Sequence, residues 1–370
     1  ERNGGSFNVY SFPVSQPQSI KTITSFKTHP VRFLSMSNNG TLCYGYDGEI
    51  YTQQESSNPR KINVEIIRDN QPQIAYLKYP DRATSATVSP DGKQIAFTVR
   101  GEVFVTSTDY TTTKQITHTA AEEDGLSFAP DNRTLAYASE RSGNWQIYLA
   151  KIVREEDPNF PNATLIKEEV LPSTTVERSH PQFSPDGKEL AFIEDRNRLM
   201  VLNLETKKVR RITDGSTWYS TSGGFDYAWS PDSKWFTLEF IGNKHDPYSD
   251  IGLVSAQGNG EIINLTNSGY SSGSPSFALD GNAILFTTER YGMRAHASWG
   301  SLDDAMLVFL NQDAYDKFSL SKEDYELYKE ANSDRKKVAA KDSSKVKDVV
   351  VELKNIEDRI VRLTPNSSNM

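Results

Sequence analysis

The chain has 370 residues, 36% hydrophobic and 11% aromatic, which is enough for one large repeat domain or two ordinary domains with real cores. It carries 41 Lys and Arg against 49 Asp and Glu, and this net charge of -8 argues against a nucleic-acid partner. The single cysteine, Cys43, excludes an internal disulfide framework and a cysteine-based zinc site. No run of about 20 apolar residues, the length that spans a bilayer, occurs in the sequence.

The first residues predict an incomplete unit of β structure. Residues 7–12 and 19–24 each have the composition of a short strand, and we interpret them as the outer two strands of a blade whose inner strands are absent. Residues 1–28 are therefore assigned to a partial blade. Because the sequence enters a strand at once, we expect it to be a piece cut from a longer protein.

A turn tetrapeptide then recurs along the chain. Its six copies follow the pattern Ser-Pro-Asp-Gly or a degenerate form of it, and they begin at Ser37, Ser89, Ala129, Ser184, Ser230 and Ala278. Ser can bond the local backbone, Pro presets φ, Asp tolerates the third turn position, and Gly accepts positive φ. The aligned Asp or Asn positions, 39, 91, 131, 186, 232 and 280, are 40 to 55 residues apart, which is the spacing of propeller blades with loop insertions.

The segments around each turn predict four short strands per repeat. An apolar residue precedes every turn, and the strand after it has apolar residues two apart, such as Ile95 and Phe97. A third strand follows, and the fourth often ends in a hydrophobe and Thr, as in Ile116-Thr117. Radial packing covers both faces of such units, so we predict an all-β fold, a β-propeller of four-stranded antiparallel blades. Six whole blades and a partial one are expected, with the propeller blades over 29–310; a β-helix or a sandwich fits the repeat less well.

The last repeat departs from the pattern. After its third strand, residues 311–347 predict a helical insertion, because Ser321-Lys-Glu-Asp is typical of a helix start and good helix formers follow. Residues 349–353 and 359–364 regain strand character. We assign 348–370 to the closing strands of the last blade and the start of a linker to missing domains.

These motifs resemble known families. The run Phe183-Ser-Pro-Asp-Gly-Lys-Glu-Leu-Ala-Phe192 with its later Arg211-Ile-Thr213 is similar to the TolB-type propeller repeat, which occurs in TolB, prolyl-oligopeptidase relatives and tricorn-type serine peptidases. The last repeat, with Tyr-Gly-Met-Arg-Ala-His-Ala-Ser-Trp-Gly at 291–300, Leu-Val-Phe-Leu-Asn at 307–311, the insertion and Arg-Ile-Val-Arg-Leu at 359–363, resembles the tricorn type more specifically.

The tricorn resemblance implies a function. In that family, propellers precede a PDZ-like domain and a catalytic domain with the nucleophilic serine, and no position here matches the catalytic motif. The resemblance thus implies a non-catalytic propeller, a substrate gate or peptide-binding scaffold for proteolysis by a missing downstream domain. Its partners would be a peptide or protein substrate and those downstream peptidase domains, with no cofactor.

Two other functions stay open. One is a TolB-like protein- or glycan-binding propeller, and the other is the propeller of a prolyl-oligopeptidase-type hydrolase. The compartment does not follow from these residues: a bacterial periplasmic or exported setting and a cytoplasmic one both stand.

The sequence contains only weak motifs for a catalytic or metal site. The nucleophile-elbow pattern Gly-x-Ser-x-Gly does not occur in the sequence. His296 and Ser298 are two apart with no acid partner, and a loop that braces the last blade through Trp299 explains them better. The five histidines are scattered without metal-ligand spacing, although His29 and His180, each just before the first strand of a blade, could converge at the axis.

Two further groups are candidate binding residues. Glu122 and Glu123 open an innermost strand and would add negative charge near the axis, which Arg82 and Arg178 at similar blade entrances would offset. A loop with Trp218-Tyr219 among hydroxyl residues suits peptide or sugar contacts. The alternative is that this aromatic loop covers a blade edge.

Overall fold

The computed structural model describes residues 6–65, 83–172, 174–219, 223–244, 246–258, 261–296, 299–332 and 346–369. Within these ranges the chain forms six four-stranded antiparallel sheets and two two-stranded ones. The chain divides into two compact units, Glu1–Leu77 and Lys78–Met370. The six sheets confirm the predicted four-stranded blades.

The first unit holds the partial blade and blade 1. The partial blade is the pair β1 (Tyr10–Ser11) and β2 (Lys21–Thr22). Blade 1 consists of β3 (Arg32–Met36), β4 (Leu42–Tyr46), β5 (Glu49–Gln53) and β6 (Arg60–Lys61).

The second unit holds blades 2 to 6. Blade 2 is β7 (Ser85–Val88), β8 (Gln94–Val99), β9 (Glu102–Ser107) and β10 (Thr113–Gln115). Blade 3 is β11 (Glu123–Phe128), β12 (Thr134–Ser139), β13 (Gln146–Ile152) and β14 (Ile166–Val170). Blade 4 is β15 (Arg178–Phe183), β16 (Glu189–Glu194), β17 (Arg198–Asn203) and β18 (Val209–Arg211). Blade 5 is β19 (Tyr227–Trp229), β20 (Trp235–Phe240), β21 (Asp250–Ser255) and β22 (Ile263–Asn264).

Blade 6 contains two insertions. Its four strands are β23 (Ser272–Ala278), β24 (Ala283–Thr288), β27 (Asp304–Phe309) and β28 (Ile360–Arg362). A two-stranded ribbon, β25 (Arg294–His296) and β26 (Trp299–Ser301), lies between β24 and β27 in sequence. The helices α1 (Gln312–Phe318) and α2 (Lys322–Ala331) precede β28, in the segment that was predicted to be a helical insertion.

The core lies between consecutive blades of the second unit. Four apolar clusters each combine side chains from two neighbouring sheets, such as Leu149 of blade 3 with Phe192 of blade 4, or Ile193 of blade 4 with Phe236 of blade 5. Those four side chains are fully buried. Neighbouring sheets therefore cover each other's faces, which is the packing of a propeller.

The repeated turn holds its shape through the side chains that the sequence repeats. In blade 4 the Ser184 hydroxyl donates to Asp186 Oδ1 at 2.7 Å, and Gly187 has φ 72°. The backbone N–H of Lys188 donates to the same carboxylate at 3.1 Å. A side chain on Gly187 would lie 3.6 Å from the Pro130 ring of the preceding blade, so the turn is also a contact between blades.

The terminal Thr of the repeat fastens the outer strand to the third strand. The N–H of the second residue in the third strand donates to the Thr hydroxyl in blade 2 (Val103 to Thr117, 2.8 Å) and in blade 4 (Leu199 to Thr213, 2.9 Å). The same bond joins Val9 to Thr24 in the partial blade, at 2.8 Å. This shared contact supports the interpretation of β1 and β2 as the outer two strands of a blade.

The chain re-enters blade 6 differently from the prediction. Residues 349–353 are extended but form no strand ladder; the N–H of Glu352 donates to the Leu310 carbonyl at 2.7 Å, and that of Val349 donates to Asp232 Oδ2 at 2.8 Å. Only β28 closes the sheet. The buried Arg359 side chain explains the path, because its guanidinium donates to the carbonyl oxygens of Phe309 and Lys354.

Candidate functional site

A β-bulge recurs in the innermost strand of several blades. The register shifts in β11, β15 and β23 of the second unit, and each shift contains a residue in the left-handed region: Gly125 (φ 65°), His180 (φ 51°) and Ser274 (φ 50°). All three stand three positions before the apolar residue of the turn, where blade 5 has Asp226. Bulges redirect side chains and are common beside functional sites.

A cavity of about 320 Å³ opens beside the bulges of blades 3 and 4. We call it the inner pocket; it is lined by Asp124, Gly125, Ala138, Trp145, Glu177, Ser179, His180, Arg196 and Gly223. The bulge brings the two blades close, since a side chain on Gly125 would lie 3.4 Å from the His180 backbone. Local backbone geometry therefore places His180 on the wall of a cavity.

His180 is solvent-accessible but has protein on most sides. Burial among these atoms lowers the pKa of its imidazole, and the carboxylates of Asp124 and Asp226 oppose that shift. Its Nδ1 lies 2.8 Å from the Ser179 hydroxyl. At neutral pH the ring is therefore uncharged and able to donate one hydrogen bond and accept another.

Carboxylates predominate around the inner pocket. Burial raises the pKa of Glu140, and the charges of Glu122 and Glu177 raise it further. Arg196 also lines the pocket, but its Nε already donates to Glu177 Oε2 at 3.0 Å. Asp124 Oδ1 is buried and accepts no hydrogen bond from the part of the chain that is described. A cationic ligand would relieve this repulsion.

A second acidic group joins blades 5 and 6. Glu239 accepts the N–H of Ser274 at 2.7 Å, and Asp226 accepts the hydroxyl of the same serine at 3.2 Å. Burial raises the pKa of Glu239 to about 7, with a further contribution from the Asp226 charge, and the Ser274 N–H opposes the shift. A side chain on Gly273 would come within 2.6 Å of Glu239 Oε1, so glycine is needed for this contact.

Two of the predicted binding residues are structural instead. Arg178 is buried, with its Nε donating to Glu194 Oε2 at 3.1 Å and its Nη1 to the Pro172 carbonyl at 2.8 Å. Glu123 is also buried and accepts the hydroxyls of Thr119 and Ser139, both at 2.8 Å. The Arg178 guanidinium and Glu123 Oε1 are thus bonded within the protein, and neither residue is among the described residues that line the inner pocket.

Trp218, Tyr219 and His29 are not among the described residues that line the inner pocket. Trp218 packs against Phe225, with ring centroids 5.6 Å apart, at the edge of the cluster between blades 4 and 5. Trp218 Nε1 and the Tyr219 hydroxyl are buried without hydrogen-bond partners among the described residues. His29 lies in the first unit, 3.4 Å from Asp47, and lines a different cavity.

Of the eight predicted binding residues, His180 lines the inner pocket in the described part of the chain, and the charge of Glu122 acts on the neighbouring Glu140. Arg82 and Ser298 lie outside the described residues, as does the side chain of His296. His180 lies inside β15 rather than before it. Sequence reasoning missed Glu140, Glu177, Asp226, Glu239 and Ser274; alignment of the position three before the turn's apolar residue would have found Asp226 and Ser274.

Two negative observations cover only the described part of the chain. There, no helix has the length and apolar character that crossing a membrane would require. In the same ranges, no three His, Cys, Asp or Glu side chains come together in a way that could hold a metal ion.

Comparisons with known proteins agree with the fold. No family model matches the chain. It is 27% identical over 184 residues to a tricorn-like protease C-terminal subunit of Sulfurisphaera tokodaii, covering 48% of this chain and 18% of that protein. It is 23% identical over 271 residues to tricorn protease homolog 1 of Streptomyces coelicolor, covering 69% of this chain and 23% of the homolog. TolB of Francisella tularensis is 30% identical over 92 residues, or 24% of this chain and 18% of TolB.

A solved structure shows the same architecture over nearly the whole chain. The crystal structure of the tricorn protease superposes with a TM-score of 0.50 at 15% identity, covering 98% of this chain and 32% of the protease. The four-stranded blades, packed face to face, define a β-propeller. With the curated relatives, they identify the chain as a tricorn- and TolB-like propeller region. The chain spans about a fifth of the length of those relatives.

Proposed function

We propose that this propeller handles substrate for a tricorn-like serine peptidase, as a gate or a peptide-binding scaffold, and that hydrolysis takes place in another domain of the same protein. The observation that carries the proposal is the inner pocket, where two bulged innermost strands meet around His180. Peptide backbones need hydrogen-bond donors and acceptors, and the imidazole offers one or the other at Nε2, since its Nδ1 is bonded to Ser179. The similarity to tricorn-type proteins supports the peptidase context.

The charges around the inner pocket give this proposal a specificity. Carboxylates outnumber cations there, and Arg196 is already paired with Glu177. A lysine or arginine side chain, or a peptide's amino terminus, would compensate the negative potential, and complementary charge also accelerates association. Cationic peptides are therefore the expected ligands.

Peptide binding to the purified chain tests the proposal. A short fluorescein-labelled peptide rich in arginine is titrated with protein, and its anisotropy is compared with that of a matched peptide in which glutamate replaces each arginine. We expect the arginine peptide to bind more tightly, and the double variant Asp124→Asn, Glu177→Gln to weaken that binding about fivefold or more. Glu205→Gln, an exposed carboxylate in the β17–β18 loop, is the matched control.

Two outcomes would contradict the proposal. Equal binding of both peptides, unaffected by the double variant, would remove the inner pocket as a peptide site. Hydrolysis of peptide substrates by the purified chain alone would contradict the assignment of catalysis to another domain.

The TolB similarity favours a second candidate function, a protein- or glycan-binding propeller without a peptidase. The coding sequence that follows Met370 discriminates between these two functions and the prolyl-oligopeptidase alternative. A PDZ-like domain and a tricorn-type catalytic domain there would support the first proposal. A Gly-x-Ser-x-Gly hydrolase domain would indicate the prolyl-oligopeptidase type instead.

A further inference from the structure

The turn of blade 6 departs from the repeat in sequence and in conformation. Its Ala278-Leu279-Asp280-Gly281 has neither the serine nor the proline that blades 2, 4 and 5 have in this turn. Leu279 and Asp280 have φ values of 52° and 55°, a region that proline cannot adopt and that leucine seldom does. The Leu279 side chain is nevertheless 51% exposed. A strained and exposed apolar residue contributes little to folding, so another role is indicated.

Hydrogen bonds hold this turn against the helical insertion. Asn282 Nδ2 donates to the Leu279 carbonyl at 2.7 Å, and Asn311 Nδ2 donates to Asn282 Oδ1 at 3.1 Å. Asn311 Oδ1 in turn accepts the N–H of Ala314 and so caps α1. The turn and the helix are therefore fixed relative to each other through three consecutive side-chain bonds.

A groove of about 490 Å³ lies between this turn and the two helices. We call it the insertion groove. Its apolar walls include Leu279, Phe318 and Tyr325, which are 51%, 45% and 37% exposed. Isolated exposed hydrophobic residues are ordinary, but here three of them line one concave surface, which is typical of an interaction site.

The insertion groove carries positive charge in an acidic protein. Lys317 and Lys322 line it, both are exposed, and neither ammonium group lies within ion-pair distance of a carboxylate in the described ranges. Among the described lining residues, Asp280 is the one with an acidic side chain. The two lysines leave a net positive groove on a chain of net charge -8, so its complement is an anionic ligand with an apolar part.

We propose that the insertion groove docks an acidic protein segment that presents a large apolar side chain. The apolar side chain lies between Leu279, Phe318 and Tyr325, and flanking carboxylates pair with Lys317 and Lys322. This interaction is independent of the inner pocket, which lies on blades 3 and 4 and prefers the opposite charge. It would let the propeller hold a second polypeptide while its inner strands engage another.

Binding of a defined probe tests the docking site. The probe is a fluorescein-labelled peptide with a central phenylalanine flanked by glutamates, compared with peptides in which lysines replace the glutamates or alanine replaces the phenylalanine. We expect the glutamate–phenylalanine peptide to bind most tightly and its affinity to fall as salt is raised. The double variant Lys317→Glu, Lys322→Glu should weaken binding about tenfold or more.

Matched variants separate docking from folding. Lys188→Glu reverses an exposed charge at the turn of blade 4 and should leave probe binding unchanged. Leu279→Gly removes one wall while allowing the positive φ, so binding should weaken with no loss of unfolding midpoint. The proposal fails if charge reversal in the groove leaves affinity unchanged, or if vesicles of phosphatidylserine bind the groove and the acidic peptide does not.

Discussion

The turns of blades 4 and 6 occupy the same place in the repeat but are built differently. In blade 4, Ser184 donates to Asp186, and glycine closes the turn against the proline of blade 3. In blade 6, alanine and leucine replace the serine and proline, and the turn bonds to Asn282 beside a helix. A side chain on Gly281 would likewise lie 3.4 Å from Pro231 of blade 5, so both turns pack on the preceding blade. The blade 6 turn departs from the repeat at Leu279, which lines a groove beside the helical insertion.

The largest expected difference in stability is between a ring buried between two blades and a ring in the helical insertion. Phe192→Ala should lower the free energy of unfolding by about 3–5 kcal/mol, because the ring is fully buried between blades 3 and 4. Phe318→Ala in α1 should lower it by about 1 kcal/mol, since that ring, 5.0 Å from Phe309, is half exposed. Denaturant unfolding of both variants measures this, and equal losses would show that α1 is packed as firmly as a blade.

The junction of blades 5 and 6 should give stability a pH dependence. Folding raises the pKa of Glu239 from 4.5 to about 7, so the unfolded chain releases this proton near pH 4.5 and the folded chain near pH 7. Stability from this group is therefore present at low pH and falls as pH rises between those values, by roughly 2 kcal/mol after allowing for partial exposure.

Glu239→Gln checks that dependence. The variant should flatten the decline in unfolding free energy between pH 5 and pH 8, compared at about the same salt. Glu205→Gln, an exposed carboxylate in blade 4, should leave the profile as it is. An unchanged slope in Glu239→Gln would mean that the carboxylate titrates at its ordinary pKa.

A serine at the first position of the turn should stabilise blade 4 but have little effect on the stability of blade 6. Ser184→Ala removes a buried hydroxyl that donates to Asp186 and accepts the N–H of Glu189, which should lower the unfolding free energy by about 1–2 kcal/mol. Ala278→Ser restores the repeat in blade 6 but should change stability by no more than about 0.5 kcal/mol, because Asp280 there has a left-handed backbone. A clear gain in the second variant would contradict this account of the two turns.

The smallest expected effect is a gain. Leu279→Gly should raise the unfolding free energy by roughly 0.5–1 kcal/mol, because glycine accepts a φ of 52° without strain while little packing is lost. Val209→Gly on the edge strand of blade 4, also about half exposed, should destabilise and serves as the contrast. If Leu279→Gly destabilises as much, the leucine contributes packing that its exposure conceals.

The sequence predicts the blades well because their signals are local. The Ser184-Pro-Asp-Gly turn is fixed by bonds within five residues, and the Thr that ends the outer strand bonds one nearby N–H. The segment 349–353 was wrongly assigned to a strand for the opposite reason. Its path depends on Asp232, which is 117 residues from Val349, and on the Arg359 guanidinium, which donates to the Phe309 carbonyl 50 residues away.

The candidate site was harder to predict because it depends on the bulges. Period-two alternation places side chains on the faces of a strand only while the register is unbroken, and in β15 it shifts between Ser179 and Gln182. Counting residues along β15 therefore could not show on which face of the sheet the side chains of Arg178 and His180 lie. The pKa of Glu239 is raised mainly by burial and further by the charge of Asp226, and no local sequence pattern contains either cause.

The bulge also makes the inner strands open to evolutionary change. The residue at this position is left out of the regular pairing between the first two strands, so its identity is weakly coupled to the stability of the blade. Phenylalanine, glycine, histidine and serine occur at the bulges of blades 1, 3, 4 and 6, at Phe33, Gly125, His180 and Ser274. Selection, or a protein engineer, can thus alter recognition one blade at a time while the scaffold stays intact.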